Sequence, residues 1–221
     1  DCNSNGVADF IEIRDSILAD WDNNGIPDIC ADCNDNSIAD LVELESEFDL
    51  FVGTSSNFVR QSNAVSAIPV SMYYGVGQVN DCQFGPDRNL YLASTGVDAV
   101  LKLNPDNGQV DFFFPSGTGG MDAPVFLTFG PDDNLYVSAN AINSILRYDG
   151  STGAFIDTFV TPGSGGLSFP YGLEFGPNGN LFVASDGDHT VKEYNGTDGS
   201  YIGDFVTSGL AGLTNPRGLV F

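Results

Sequence analysis

Three stretches of the chain repeat one pattern. Phe84-Gly85-Pro86-Asp87-Arg88-Asn89-Leu90-Tyr91-Leu92 returns as Phe129-Gly130-Pro131-Asp132-Asp133-Asn134-Leu135-Tyr136-Val137, and again as Phe175-Gly176-Pro177-Asn178-Gly179-Asn180-Leu181-Phe182-Val183. Gly85, Gly130 and Gly176 follow one another at spacings of 45 and 46 residues. Proline presets φ at the second turn position and asparagine closes the turn, so each motif joins two strands. A third strand follows at 99–103, 144–148 and 190–194, and an outer one at 110–114, 155–160 and 201–206. Four short strands on a period of 40–50 residues are the mark of a β-propeller blade.

The ends of the repeating region complete the count. Asp49–Thr54 matches a second strand, Phe58–Gln61 a third, and Ala67–Tyr73 a fourth. Pro216–Phe221 matches a first strand, with Phe221 placed 46 residues after Phe175. The chain is therefore expected to be mostly β, with sixteen strands in about four four-stranded blades. Closure comes from the terminal strands pairing with each other or from pairing between neighbouring chains, because an unpaired edge accepts another strand; otherwise the sequence is part of a larger propeller. The repeat resembles the NHL-type propeller over residues 48–221, a resemblance that speaks to fold and hardly to activity.

Charge divides the chain. Its 30 Asp and Glu face 7 Lys and Arg, for a formal net charge of −23. Residues 1–47 carry 13 of the acidic groups and a single basic one, Arg14. That break sets a small N-terminal arm, 1–47, apart from the propeller, 48–221. The arm repeats an oxygen-ligand spacing. Asp1, Asn3, Asn5, Val7, Asp9 and Glu12 occupy positions 1, 3, 5, 7, 9 and 12 of a loop with Gly6 at its bend. Asp20, Asp22, Asn24, Ile26 and Asp28 repeat it, as do Asp32, Asn34, Asn36, Ile38, Asp40 and Glu43. A hard cation needs six to eight oxygens, and alternate residues of a short loop supply them, with position 7 giving its carbonyl. Two to three calcium ions are expected. The second loop ends on Ala31 and so has a weaker or shared site, and the third has Ser37 where glycine bends best. Short amphipathic helices are expected near 9–19 and 39–47. Without calcium the crowded carboxylates should leave the arm largely unfolded.

Pro27 has no N–H to join two EF-type loops. The arm instead resembles the tandem calcium repeats of thrombospondin type-3 and dockerin-like modules, especially the Asp-Cys-Asn repeats of secreted planctomycete-type proteins. That resemblance implies structural calcium. The four cysteines, Cys2, Cys30, Cys33 and Cys82, allow three pairings. Cys2–Cys30 within the arm and Cys33–Cys82 between arm and propeller are favoured, with a thiolate zinc site as the rival. Calcium loops and paired cysteines point to an oxidising, extracellular or cell-surface setting.

The charge also excludes partners. A strongly acidic chain repels phosphate backbones and anionic lipids, so neither nucleic acid nor a membrane surface is expected. No apolar run approaches the ~18–20 residues of a membrane span. A chain opening at Asp1 without a signal peptide reads as processed or incomplete.

Chemistry in a propeller belongs in its central channel. The innermost strands place Gln83, Thr128, Glu174 and Val220 at one equivalent position, which offers a single carboxylate. Lactonase-type relatives of the fold hold a central calcium with several acidic and amide groups, a set not apparent here. Asp186, Asp188 and His189 form the best catalytic candidate, against the plainer reading of a polar turn. The expected function is an extracellular, calcium-stabilised structural or interaction protein without catalysis. It would self-associate or join a surface assembly, with copies of itself or other surface proteins as partners. The runner-up is a hydrolase or lactonase with its site in the channel, and a third reading is a glycan- or ligand-binding module.

Overall fold

The fold was obtained as a computed structural model that describes residues 49–63 and 69–221. The calcium-loop residues 1–47, Cys2, Cys30 and Cys33 lie outside the described residues, so the ligand set and both disulfides do too. The chain divides into two compact units. One comprises 51–60 and 72–221. Of the other, only 49–50, 61–63 and 69–71 are described, as the ends of three strands.

The described residues are almost entirely β and form the blades of a β-propeller. Among the described residues, fifteen strands form four sheets, three of them antiparallel throughout. The first sheet is β1 (Asp49–Gly53), β2 (Phe58–Asn63) and β3 (Pro69–Tyr74). The second is β4 (Val79–Phe84), β5 (Leu90–Ser94), β6 (Ala99–Leu103) and β7 (Val110–Phe114). The third is β8 (Pro124–Phe129), β9 (Leu135–Ala139), β10 (Ser144–Tyr148) and β11 (Phe155–Val160). The fourth is β12 (Pro170–Phe175), β13 (Leu181–Ser185), β14 (Thr190–Tyr194) and β15 (Tyr201–Val206). The expected sixteenth strand does not form. Residues 217–221 have no ladder with β1 and run beside β12, where Gly172 N donates to Arg217 O at 2.7 Å.

The glycine-proline motif makes the same turn in each complete blade. Gly85, Gly130 and Gly176 N–H groups donate to the carbonyls of Asn89, Asn134 and Asn180, each at 2.9 Å. The turn needs a left-handed residue, and Arg88 (φ 63°), Asp133 (φ 59°) and Gly179 (φ 77°) supply it. Asp87, Asp132 and Asn178 brace it by accepting the N–H of the closing asparagine.

The strands after these turns, β5, β9 and β13, are buried along their whole length. They carry the core because each is covered on both faces. The ring at their second position is gripped edge-on by two phenylalanines. Tyr91 meets Phe113 and Phe129 at 4.8 and 5.0 Å, and Tyr136 meets Phe159 and Phe175, both at 4.9 Å. Phe182 meets Phe205 and Phe221 at 4.8 and 5.0 Å. One clasping ring comes from the outer strand of the same blade; the other comes from the inner strand of the next blade for Tyr91 and Tyr136, and from the C-terminal residue Phe221, outside any strand, for Phe182. Each ring thus ties two repeats together, and burying a side chain of this size contributes about 2–3 kcal/mol.

Candidate functional site

The inner strands β4, β8 and β12 lie side by side and wall a cavity of about 210 Å³. Asp81, Cys82 and Gln83 line it from β4, Phe126 and Leu127 from β8, Gly172, Leu173 and Glu174 from β12, and Leu219 from the C-terminal residues. Of the four positions expected on the channel, Gln83 and Glu174 reach this wall. Thr128 is buried off it, and Val220 faces solvent.

Asp81 is the residue that the sequence reading missed. It lies two residues before Gln83, so strand alternation sends both to the same side of β4. The next two blades hold Phe126 and Gly172 at its position. Repeat alignment draws attention to what recurs, and Asp81 does not recur. Alternation by two from Gln83 was the signal that finds it.

Asp81 Oδ2 accepts the Leu127 N–H at 3.1 Å and so also ties β4 to β8. Burial pushes its carboxyl above the usual carboxylate range. The N–H groups of Leu127 and Cys82 pull it partly back, while the charge of Glu174 pushes it further up. Burial raises Glu174 as well. The two carboxyls therefore feel one another across the cavity, and both favour the protonated form more than a solvated carboxylate does. Burial, then the charge of Asp81, raises the Cys82 thiol, which makes it a poor nucleophile at neutral pH. Cys82 forms no disulfide with a described residue. Gln83 Oε1 is out of reach of solvent and accepts no hydrogen bond from a described residue.

The structure does not bring Asp186, Asp188 and His189 together. Asp186 Oδ1 lies 3.5 Å from Arg217 Nε, Asp188 Oδ2 lies 2.6 Å from Lys192 Nζ, and His189 Nδ1 accepts the Asn215 N–H at 3.2 Å. Each is engaged by a different partner. Among the described residues, no three His, Cys, Asp or Glu side chains are grouped to hold a metal.

No protein-family model and no curated protein matches the chain. Solved structures do. A catalytically inactive histidine-to-alanine variant of virginiamycin B lyase from Staphylococcus aureus with quinupristin is 16% identical over 79% of this chain and 57% of its own, with a TM-score of 0.60. A luciferin-regenerating enzyme is 18% identical over 72% of this chain and 57% of its own, at 0.54. Kuenenia stuttgartiensis hydrazine synthase is 19% identical over 72% of this chain and 46% of its own, at 0.61. The chain thus spans about half the length of the solved structures it resembles. At these identities the likeness establishes the propeller fold. It also overturns the expectation of a chain without catalysis. The proteins sharing the fold include a lyase and a luciferin-regenerating enzyme, and the channel holds two carboxylates where the sequence reading counted one.

Proposed function

We propose that the protein is a propeller enzyme with its site in the channel cavity, cleaving the C–O bond of an ester or lactone by acid–base catalysis. One observation carries this reading: Asp81 and Glu174, from the inner strands of two different blades, face the same cavity. Two carboxyls in a partly dry site divide the labour by environment. Asp81 is the more enclosed, and it gives its proton to the leaving oxygen. Glu174 is the wetter, and it takes the proton that must leave the substrate or an attacking water. Virginiamycin B lyase and streptogramin B lyase share the fold, which makes the compounds their names give the first to try. The test is turnover of quinupristin and a panel of aryl lactones by the full protein, followed by mass spectrometry. A gain of one water in the product marks hydrolysis, and an unchanged mass marks elimination. Asp81→Asn and Glu174→Gln should each lower turnover by about 10²–10⁴-fold, the scale of general acid–base catalysis. Full turnover in both variants places the chemistry elsewhere.

We further propose, from ligand spacing alone, that residues 1–47 hold two to three structural calcium ions. Their cysteines and loops support an extracellular or cell-surface setting, with the NHL-type propeller presented to copies of itself or to other surface proteins.

A further inference from the structure

We infer that a second copy of the chain covers the exposed face of the fourth sheet, laying its own β1–β2–β3 sheet beside residues 217–221 to make one further blade. The inference rests on the reading of a propeller presented to copies of itself and names the surface that pairs. The contact it needs is one that the chain already makes between its own sheets. Leu181 and Val183 of the fourth sheet share a buried cluster with Phe159 and Leu167. Leu135 and Val137 of the third share one with Phe114 and Met121. Leu50 and Val52 hold the same strand positions in the first sheet, yet they are 54% and 43% exposed, whereas their counterparts at 90 and 92, 135 and 137, and 181 and 183 are all buried. The other half of the contact is bare on the fourth sheet. Phe205 stands on β15 where Phe159 stands on β11, and Phe205 is 58% exposed against 5% for Phe159. The first and fourth sheets therefore show the two complementary halves of one apolar interface, and neither is satisfied within the copy.

The backbone agrees. Among the described residues, β1 has a ladder on one side only, and its sheet has three strands where the other three have four. Residues 217–221 have an inner-strand sequence and no sheet of their own. The complete sheets pair Phe84 with Leu90, Phe129 with Leu135 and Phe175 with Leu181. The same register sets Phe221 opposite Leu50 of the second copy, and Leu219 opposite its Val52. A free edge accepts such a strand. Ala211 identifies which sheet arrives. Gly119 and Gly165 lie against the rings of Phe155 and Tyr201, which open the outer strands of the next sheets, and a Cβ at either glycine would run into the ring. The equivalent loop after β15 carries Ala211 instead, at φ 51°. The sheet beyond it should therefore open its outer strand without a ring, and β3 opens on Pro69. Because the two halves lie on different sheets, copies join head to tail.

The experiment is sedimentation velocity and light scattering on the full chain at fixed calcium, across about two decades of concentration. The parent should reach twice 23.4 kDa or a higher multiple. Added sodium chloride should strengthen the association, since each copy brings a net charge of −23 to an apolar contact. Val52→Lys spoils one half of the interface and Phe205→Asp the other, and each should weaken association by about thirtyfold or more. A mixture of the two keeps one intact pair of halves and should associate again. Phe112→Asp, at an exposed ring on the second sheet, should change nothing. Each variant is first checked for the parent's circular dichroism spectrum, and Val52→Lys decides alone where Phe205→Asp does not keep it. Association indifferent to Val52→Lys overturns the inference and leaves self-association through another surface standing. A parent that stays monomeric throughout overturns both.

Discussion

At the scale of single residues, the blades are joined by a side-chain clip that recurs. Asn57, Asp98, Asn143 and His189 all sit at positive φ in the turn before a strand. Their side chains accept the backbone N–H of Gly77, Ala123, Phe169 and Asn215, at 2.6, 2.9, 2.7 and 3.2 Å. The four donors follow at intervals of 46 residues; the first three lead into the inner strands β4, β8 and β12, and the fourth into residues 216–221. His189 therefore does an asparagine's work through Nδ1, which requires its proton on Nε2. His189→Asn should keep the clip. Asn143→Ala should cost about 1 kcal/mol, the net value of one such bond, read as a lower urea midpoint at unchanged slope. An Asn143→Ala midpoint equal to the parent's would show the bond to be incidental. Asp81 gives a second prediction at this scale. Its folded carboxyl lies above the unfolded one, so its contribution to stability is full below the unfolded value and is lost as pH rises through the folded one. Asp81→Asn removes that loss while keeping an acceptor for Leu127. Its stability relative to the parent should rise from acid to neutral pH, in urea titrations across the carboxylate range. A constant difference would mean that Asp81 is not held in its protonated form by the fold.

At the scale of elements, the fourth sheet departs from its siblings. Lys192 on β14 is buried where β6 and β10 place Leu101 and Leu146. Its ammonium lies 2.6 Å from Asp188 and 3.0 Å from Asp204, and Tyr201 donates its hydroxyl to the same Asp204 oxygen at 2.7 Å. Removing one partner of a buried ion pair strands the others. Lys192→Ala should cost about 3 kcal/mol or more. The triple change Lys192→Leu, Asp188→Asn, Asp204→Asn should recover most of that, since leucine already fits the two sibling sheets. A triple variant no more stable than Lys192→Ala in urea would show that the polar cluster itself holds the sheet. How much of this level the sequence disclosed follows from what repeats. Strands β5 to β7, β9 to β11 and β13 to β15 stand where the motif spacing placed them, because turn chemistry and core rings recur together. The channel was half legible. Glu174 and Gln83 were found as equivalent positions, whereas Asp81, the Lys192 cluster and the course of residues 217–221 were not. All three break the repeat, and pairing of an edge depends on a partner strand that no local pattern specifies.

At the scale of the whole molecule, charge is the dominant quantity. A net −23 over 221 residues makes self-repulsion a standing cost, and almost half of the acidic groups fall within residues 1–47. Aligned loop oxygens there have two fates: hydrated and mutually repelling, or gathered on divalent ions. Ion binding that occurs only in the folded form adds stability by mass action, about 2.7 kcal/mol per site at a free ion concentration one hundred times its dissociation constant. Calcium should therefore raise the thermal midpoint and the ellipticity of the protein in proportion to the two to three ions bound, and EGTA should reverse both. Magnesium at equal concentration should do less, because it demands tighter octahedral geometry and gives up its water reluctantly. Sodium chloride at matched ionic strength separates this from simple screening, which has no stoichiometry. Two substitutions locate the effect: Asp1→Asn with Glu12→Gln should remove about one ion from the calorimetric count and leave the rest. If calcium and matched sodium chloride act alike, the N-terminal carboxylates are a diffuse charge cloud and the loop spacing is not a metal site.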